Sequence, residues 1–158
     1  MSLKDKLREL KKQEEAGQQM LEESKTLWVQ DCDRLMSEIK QWISAYEMDG
    51  LASVRTEPLT INEERVTPYT VSQHSIDFMG RGSVRIRPIG TFLIGAHGRI
   101  DVIFQSRKGP QSSFMLIRRK DDAGRFYWKI VEKENRQKVE ADYSIQNFEA
   151  KIEQYLDL

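Results

Sequence analysis

At Asp49-Gly50 the spacing of apolar residues changes from three-and-four to two, and this change constrains the fold more than any motif in the chain. Before it, Trp28, Cys32, Leu35, Ile39, Trp42 and Tyr46 recur at intervals of 4, 3, 4, 3 and 4, a heptad stripe along one helix face. Residues 2–48 hold no proline and one glycine, and Ser2 followed by Asp5 has the form of a capping box. Continued backwards, the stripe reaches Leu21, Glu14 and Leu7 on one line and Lys25, Gln18, Lys11 and Lys4 on the other, so the seam decays and leaves Leu3, Leu7 and Leu10 as a short local stripe. Gly17 lies where the pattern weakens and costs about 1 kcal/mol relative to alanine inside a helix. The expectation is a first helix over 3–15 and a stronger second over 19–47 with a break or bend near Gly17, a single continuous helix being the alternative. Gly50 suits the left-handed position that ends a helix.

Beyond Gly50 the alternation predicts strands over 53–57, 66–72, 75–79, 83–88, 91–94, 99–105, 113–120 and 125–133. Turn chemistry separates them at Gly80-Arg81-Gly82, Ala96-His97-Gly98, Lys108-Gly109-Pro110 and Asp121-Asp122-Ala123-Gly124. Such short connections favour hairpins over crossovers, hence an antiparallel meander of about six to eight strands. Val84 and Ile86, Ile100 and Val102, and Phe126 and Trp128 supply one apolar face, and much of the basic charge falls on the other. A final helix is signalled by Asp142 or Ser144 as cap and by Ile145, Phe148, Ile152, Tyr155 and Leu156 at helical spacing. The fold class is therefore α+β: a helical segment over 1–48, and a sheet with its C-terminal helix over 51–158 in the same globular unit, with the 19–47 helix and the C-terminal helix covering one face of the sheet.

With 158 residues and one cysteine, the chain can build neither a disulfide framework nor a four-cysteine zinc site. Its apolar runs fall far short of the ~20 residues needed to cross a bilayer. The start of the chain carries alternating charge rather than an apolar signal stretch, so a cytoplasmic address without a membrane partner is expected. Only two histidines, His74 and His97, are present, and no ligand spacing accompanies them; no metal or cofactor is expected. Cys32, between Asp31 and Asp33 on the heptad seam, reads as core rather than as a reactive thiol.

The net charge of zero conceals a segregation. Residues 1–50 carry −3, 51–79 carry −2, 80–130 carry +8 and 131–158 carry −3. The basic centre comprises Arg81, Arg85, Arg87, Arg99, Arg107, Lys108, Arg118, Arg119, Lys120, Arg125 and Lys129. Either acidic helices neutralise it internally, or it forms an open face for phosphate or an acidic protein.

Three functional readings follow. In the first, the chain is a non-enzymatic protein-binding or adaptor module and a homodimer. It self-associates through the N-terminal helix, with Leu7, Leu21, Trp28 and Trp42 as contacts, and offers Arg85, Arg87, Arg118, Arg119, Tyr127 and Lys129 to a partner with an acidic surface. In the second, the same basic face binds single-stranded nucleic acid, with Tyr127 stacking on a base, although no RNA-recognition signature or basic tail is present. In the third, an enzyme uses His97 as acid-base group with Asp101 beside the tight segment Gly95-Ala96-His97-Gly98-Arg99. That segment lacks the following helix of a dinucleotide fingerprint and the spacing of a P-loop.

Overall fold

The computed structural model describes residues 2–107, 109–134 and 136–156, and begins with one helix where a break was expected. Helix α1 runs uninterrupted from Leu3 to Met48, opened by the expected capping box: the Ser2 hydroxyl accepts from the Asp5 amide and the Asp5 carboxylate accepts from the Ser2 amide. The break near Gly17 does not occur. Its penalty of about 1 kcal/mol is a local cost that the helix formers on both sides absorb, and Gly17 faces open space with no neighbouring group to exploit a bend. From Trp28 onward α1 buries Trp28, Cys32, Leu35, Met36, Ile39 and Ile43, while Trp42 and Tyr46 flank that stripe half-buried.

Among the described residues seven strands follow: β1 (Ser53–Ile61), β2 (Tyr69–Asp77), β3 (Gly82–Gly90), β4 (Arg99–Ser106), β5 (Ser112–Lys120), β6 (Phe126–Glu134) and β7 (Gln137–Asp142), then helix α2 (Ile145–Leu156). Each strand is antiparallel to the next, and the sheet order is the chain order, the meander that short loops require. The register places Val84 opposite Phe104, Ile86 opposite Val102, Val102 opposite Phe114, and Leu116 opposite Ile130, so one face is continuously apolar. Both helices cover that face. Phe148 of α2 meets Trp42 edge-on at 5.7 Å, and Tyr155 stacks on Phe104 at 4.6 Å. The Ser144 hydroxyl, rather than Asp142, caps α2 by accepting from the Asn147 amide at 3.0 Å.

The sheet departs from expectation in three places. The segments read as two strands over 66–72 and 75–79 form the single strand β2. Thr91 to Ile94 is not a strand, because the Thr91 and Phe92 amides donate to the Glu63 carboxylate, each at 3.0 Å, and not to a sheet neighbour. Gly90 permits this, since a Cβ there would lie 2.4 Å from Glu63 Oε1. Lastly, β7 forms from a segment of weak alternation, held by its register with β6.

The tip of the β1–β2 hairpin reaches back onto α1. Gln18 donates to the Arg65 carbonyl at 2.6 Å, the Thr67 amide donates to Glu22 at 2.9 Å, and Lys25 donates to the Thr67 hydroxyl at 2.6 Å. Residues 3–17 of α1, ahead of the Gln18 contact, are exposed. At 1.5 Å per residue they form an arm about 22 Å long beyond the β1–β2 hairpin. No helix among the described residues is long and apolar enough to cross a membrane.

Candidate functional site

Strand parity decides which cations reach the open face of the sheet. Arg85 and Arg87 on β3, Arg99 on β4, Arg119 on β5 and Tyr127 and Lys129 on β6 all alternate with the apolar residues that meet the helices. Arg118 does not belong with them. It shares the parity of Phe114 and Leu116, lies opposite Trp128, and is 2% exposed. Its guanidinium donates to Asp31 of α1 at 2.5 Å and to the His97 carbonyl at 3.0 Å, and sits 3.9 Å from the centre of the Phe126 ring. A buried guanidinium needs this set of partners, because an unpaired charge in the interior is far costlier than one in water. Arg118 is thus an internal clamp between α1, β5 and β6, and is not available to a partner.

Four of the outward cations are also engaged. Arg99 is held bidentately by Asp101, Nε to Oδ1 at 2.7 Å and Nη2 to Oδ2 at 3.2 Å. Arg119 pairs with Glu140 of β7 and donates to the Gly95 carbonyl at 3.0 Å. Lys129 pairs with Asp142 at 2.5 Å, with its ammonium 5.9 Å from the Tyr127 ring. Asp142 raises the Lys129 pKa, chiefly through that hydrogen bond. Arg55 of β1 pairs with Glu57 at 2.9 Å. Arg85 and Arg87 on β3, like Lys133 and Lys138 at the far side of the sheet, are exposed and among the described residues have no carboxylate within ion-pair distance. At the end of β3, Arg81 and Arg107 come together where the Arg107 amide donates to the Arg81 carbonyl at 3.3 Å. Lys108 lies outside the described residues.

Two to three strands over from β3, across β5 and β6, the loop that replaces the expected 91–94 strand borders a hollow of about 780 Å³. Its floor is Met115, Ile117 and Val131, and Arg99, Arg119 and Lys133 stand among its walls. Ile117 and Val131 are buried although they lie on the outward parity. The open face therefore combines an arginine pair without an ion-pair partner among the described residues with a depression of apolar floor and charged walls.

The pairing suggested for His97 and Asp101 is not assembled. Both Asp101 oxygens accept from Arg99, while the His97 ring lies against Phe126 at 5.9 Å and its carbonyl accepts from the Thr91 hydroxyl at 2.8 Å. Among the described residues no three His, Cys, Asp or Glu side chains gather as a metal site would require. Of the residues suggested for self-association, Trp28 is 0% exposed, packed 5.8 Å from Trp128 and against Gly98, where a Cβ would lie 2.2 Å from the indole. Trp42 is held between Tyr46 and Phe148. Both indoles are spent on the core, which corrects their reading as anchors for a second chain. Leu7 is exposed, and Leu21 is half-buried where the arm leaves the sheet.

Sequence reasoning missed the interior polar residues. His74 is buried, with Nδ1 accepting from the Thr56 hydroxyl and Nε2 donating to the Met36 carbonyl, both at 2.9 Å. Glu132 is buried beneath α2, accepting from Lys151 and from the Tyr155 hydroxyl at 2.7 Å. Parity was the available signal, since Arg118, Glu132 and His74 each share a strand face with buried apolar neighbours. No protein-family model, curated protein or solved structure matches the chain, so the geometry of the open face carries the functional argument.

Proposed function

We propose that this chain is a non-enzymatic protein-binding module whose open sheet face receives an acidic segment of a partner protein. The observation that carries this reading is the exposed pair Arg85 and Arg87, which among the described residues form no ion pair, the Asp101 carboxylate opposite Arg87 being held by Arg99. Guanidinium groups bind carboxylates bidentately, so two adjacent ones on alternate positions of a strand suit acidic side chains presented in extended form. On the same face, two to three strands from β3, the hollow floored by Met115, Ile117 and Val131 supplies a place for one apolar side chain of a segment that crosses the sheet.

The single-stranded nucleic acid reading is favoured only by Tyr127, 39% exposed on that face. Asp101, Glu140 and Asp142 share that face and repel a phosphate backbone and an acidic peptide alike, so the apolar floor of the hollow, which suits a leucine-like side chain, is what favours the peptide. The two readings separate in one titration by fluorescence anisotropy, using a labelled Asp/Glu-rich peptide with one central leucine and a mixed-sequence single-stranded oligonucleotide. Saturable peptide binding that Arg85→Glu/Arg87→Glu abolishes is the expected result. Oligonucleotide binding that collapses between about 50 and 200 mM salt while the peptide stays free would transfer the face to nucleic acid. Equal behaviour of the variant and the natural protein toward both probes would end the proposal.

A further inference from the structure

The arm of α1 carries an apolar line that the rest of the chain leaves uncovered. Leu3, Leu7 and Leu10 are 73%, 55% and 53% exposed, and their spacing continues through Glu14 and Gly17 to Leu21. A helix of this length gains little from propensity alone and is ordinarily stabilised by burying such a face. Charge along the arm is divided as well. Residues 3–12 hold five basic and two acidic side chains, a net +3, and residues 13–24 hold four acidic and no basic ones, a net −4.

We infer that two copies of the chain pair through their arms, side by side and antiparallel, about a two-fold axis level with residue 12. The line 3, 7, 10, 14, 17, 21 maps onto itself when reversed about that point, so Leu3 of one copy meets Leu21 of the other, Leu7 meets Gly17, and Leu10 meets Glu14. These are the mixed seam layers that antiparallel helices form. Gly17, with no atom near it in a single copy, leaves room for Leu7 of the second. The reversal also sets each net-positive half against a net-negative half, whereas a parallel pair would stack like on like and place Glu14 against Glu14. A third feature coincides with this register. Beside Leu21 lies a hollow of about 420 Å³ lined by Ile89, Phe92 and Leu93, with Glu63 and the exposed Glu64 and Arg65 at its rim, a net negative charge. Leu3 of the second copy arrives at this hollow, with Lys4 and Lys6 near Glu64. The contact is independent of the open sheet face, and either assignment can fail without the other.

Sedimentation velocity on the whole protein at micromolar concentrations tests it. The expected result is a monomer–dimer equilibrium that weakens with salt, with Leu7→Glu weakening dimerisation by ~100-fold or more. Lys4→Glu/Lys6→Glu is expected to weaken it as well while leaving the thermal unfolding of the body unchanged, because both lysines are exposed on the arm. Orientation is read by disulfide trapping: Leu10→Cys mixed with Glu14→Cys should cross-link, and Leu10→Cys alone should not. A mass that stays monomeric throughout the range would overturn the dimer, and efficient trapping of Leu10→Cys with itself would overturn its direction.

Discussion

Arg118 and Arg119 are neighbours in sequence, alike in chemistry, and opposite in role, because a strand turns successive side chains to opposite faces. Arg118 is enclosed by Asp31, Phe126, Trp28 and the His97 carbonyl; Arg119 lies on the open face with Glu140. Removing the buried partner leaves Asp31 with only its exposed Arg34 pair and empties a packed site against Trp28 and Phe126, so Arg118→Ala should cost about 3 kcal/mol in urea unfolding. Arg119→Ala, which breaks an exposed pair, should cost less than about 1 kcal/mol in the same measurement. Near-equal losses would contradict the assigned burial. Gly98 is constrained in a different way: it abuts the Trp28 indole, and any side chain there displaces one of the largest rings of the core. The burial of Cys32, on the same helix face, raises its thiol pKa far above the ordinary value and keeps the group protonated. The neighbours of Cys32 in sequence already pointed to the core. The position of Arg118 was legible only through parity, and its adjacency to Arg119 masked that signal.

Between elements, the polar contacts say how the two helices are fastened. His74 joins β2 to β1 through Thr56 and to α1 through the Met36 carbonyl. Burial holds its imidazole below the ordinary value of 6.5, the Met36 hydrogen bond offsets this only in part, and Lys40 adds to the lowering. A histidine kept neutral in the folded state binds fewer protons there than in the unfolded chain. Stability should therefore fall as pH drops below 6.5, and His74→Gln should flatten that part of a melting-temperature profile. Glu132 fastens α2. Burial raises its carboxyl pKa, but hydrogen bonds from Lys151 and Tyr155 and the Lys151 charge outweigh this and bring it below the ordinary 4.5, so its contribution is full above that pH and lost with further acid. Glu132→Ala leaves the half-buried Lys151 without its carboxylate and should cost about 3 kcal/mol. The loss should appear as faster amide exchange confined to residues 145–156, and unchanged exchange in α2 would show that its apolar stripe alone holds it. The existence and type of these helices and most strands were readable from periodicity. The loop over 91–98 was not, because its course is set by Glu63, far away in the chain, capturing two backbone amides that would otherwise complete a strand.

For the molecule as a whole, the zero net charge describes little, because the charges are sorted by position. The protein should be retained on a cation-exchange resin at pH 7, where its formal charge vanishes, and Arg85→Glu/Arg87→Glu should elute without retention. Equal elution of the two would mean that the arginine pair does not govern the surface field. The sequence by itself determined the α+β class, the antiparallel meander, the buried stripes of α1 and α2 and the basic centre, since each follows from residue spacing or composition along a local stretch. Only the tertiary structure decided which cations stay open, which tryptophans are consumed by the core, and where the arm emerges from the body. Those outcomes depend on the partners that each side chain meets across strands and helices, and pairing between distant segments has no period that a linear reading can detect.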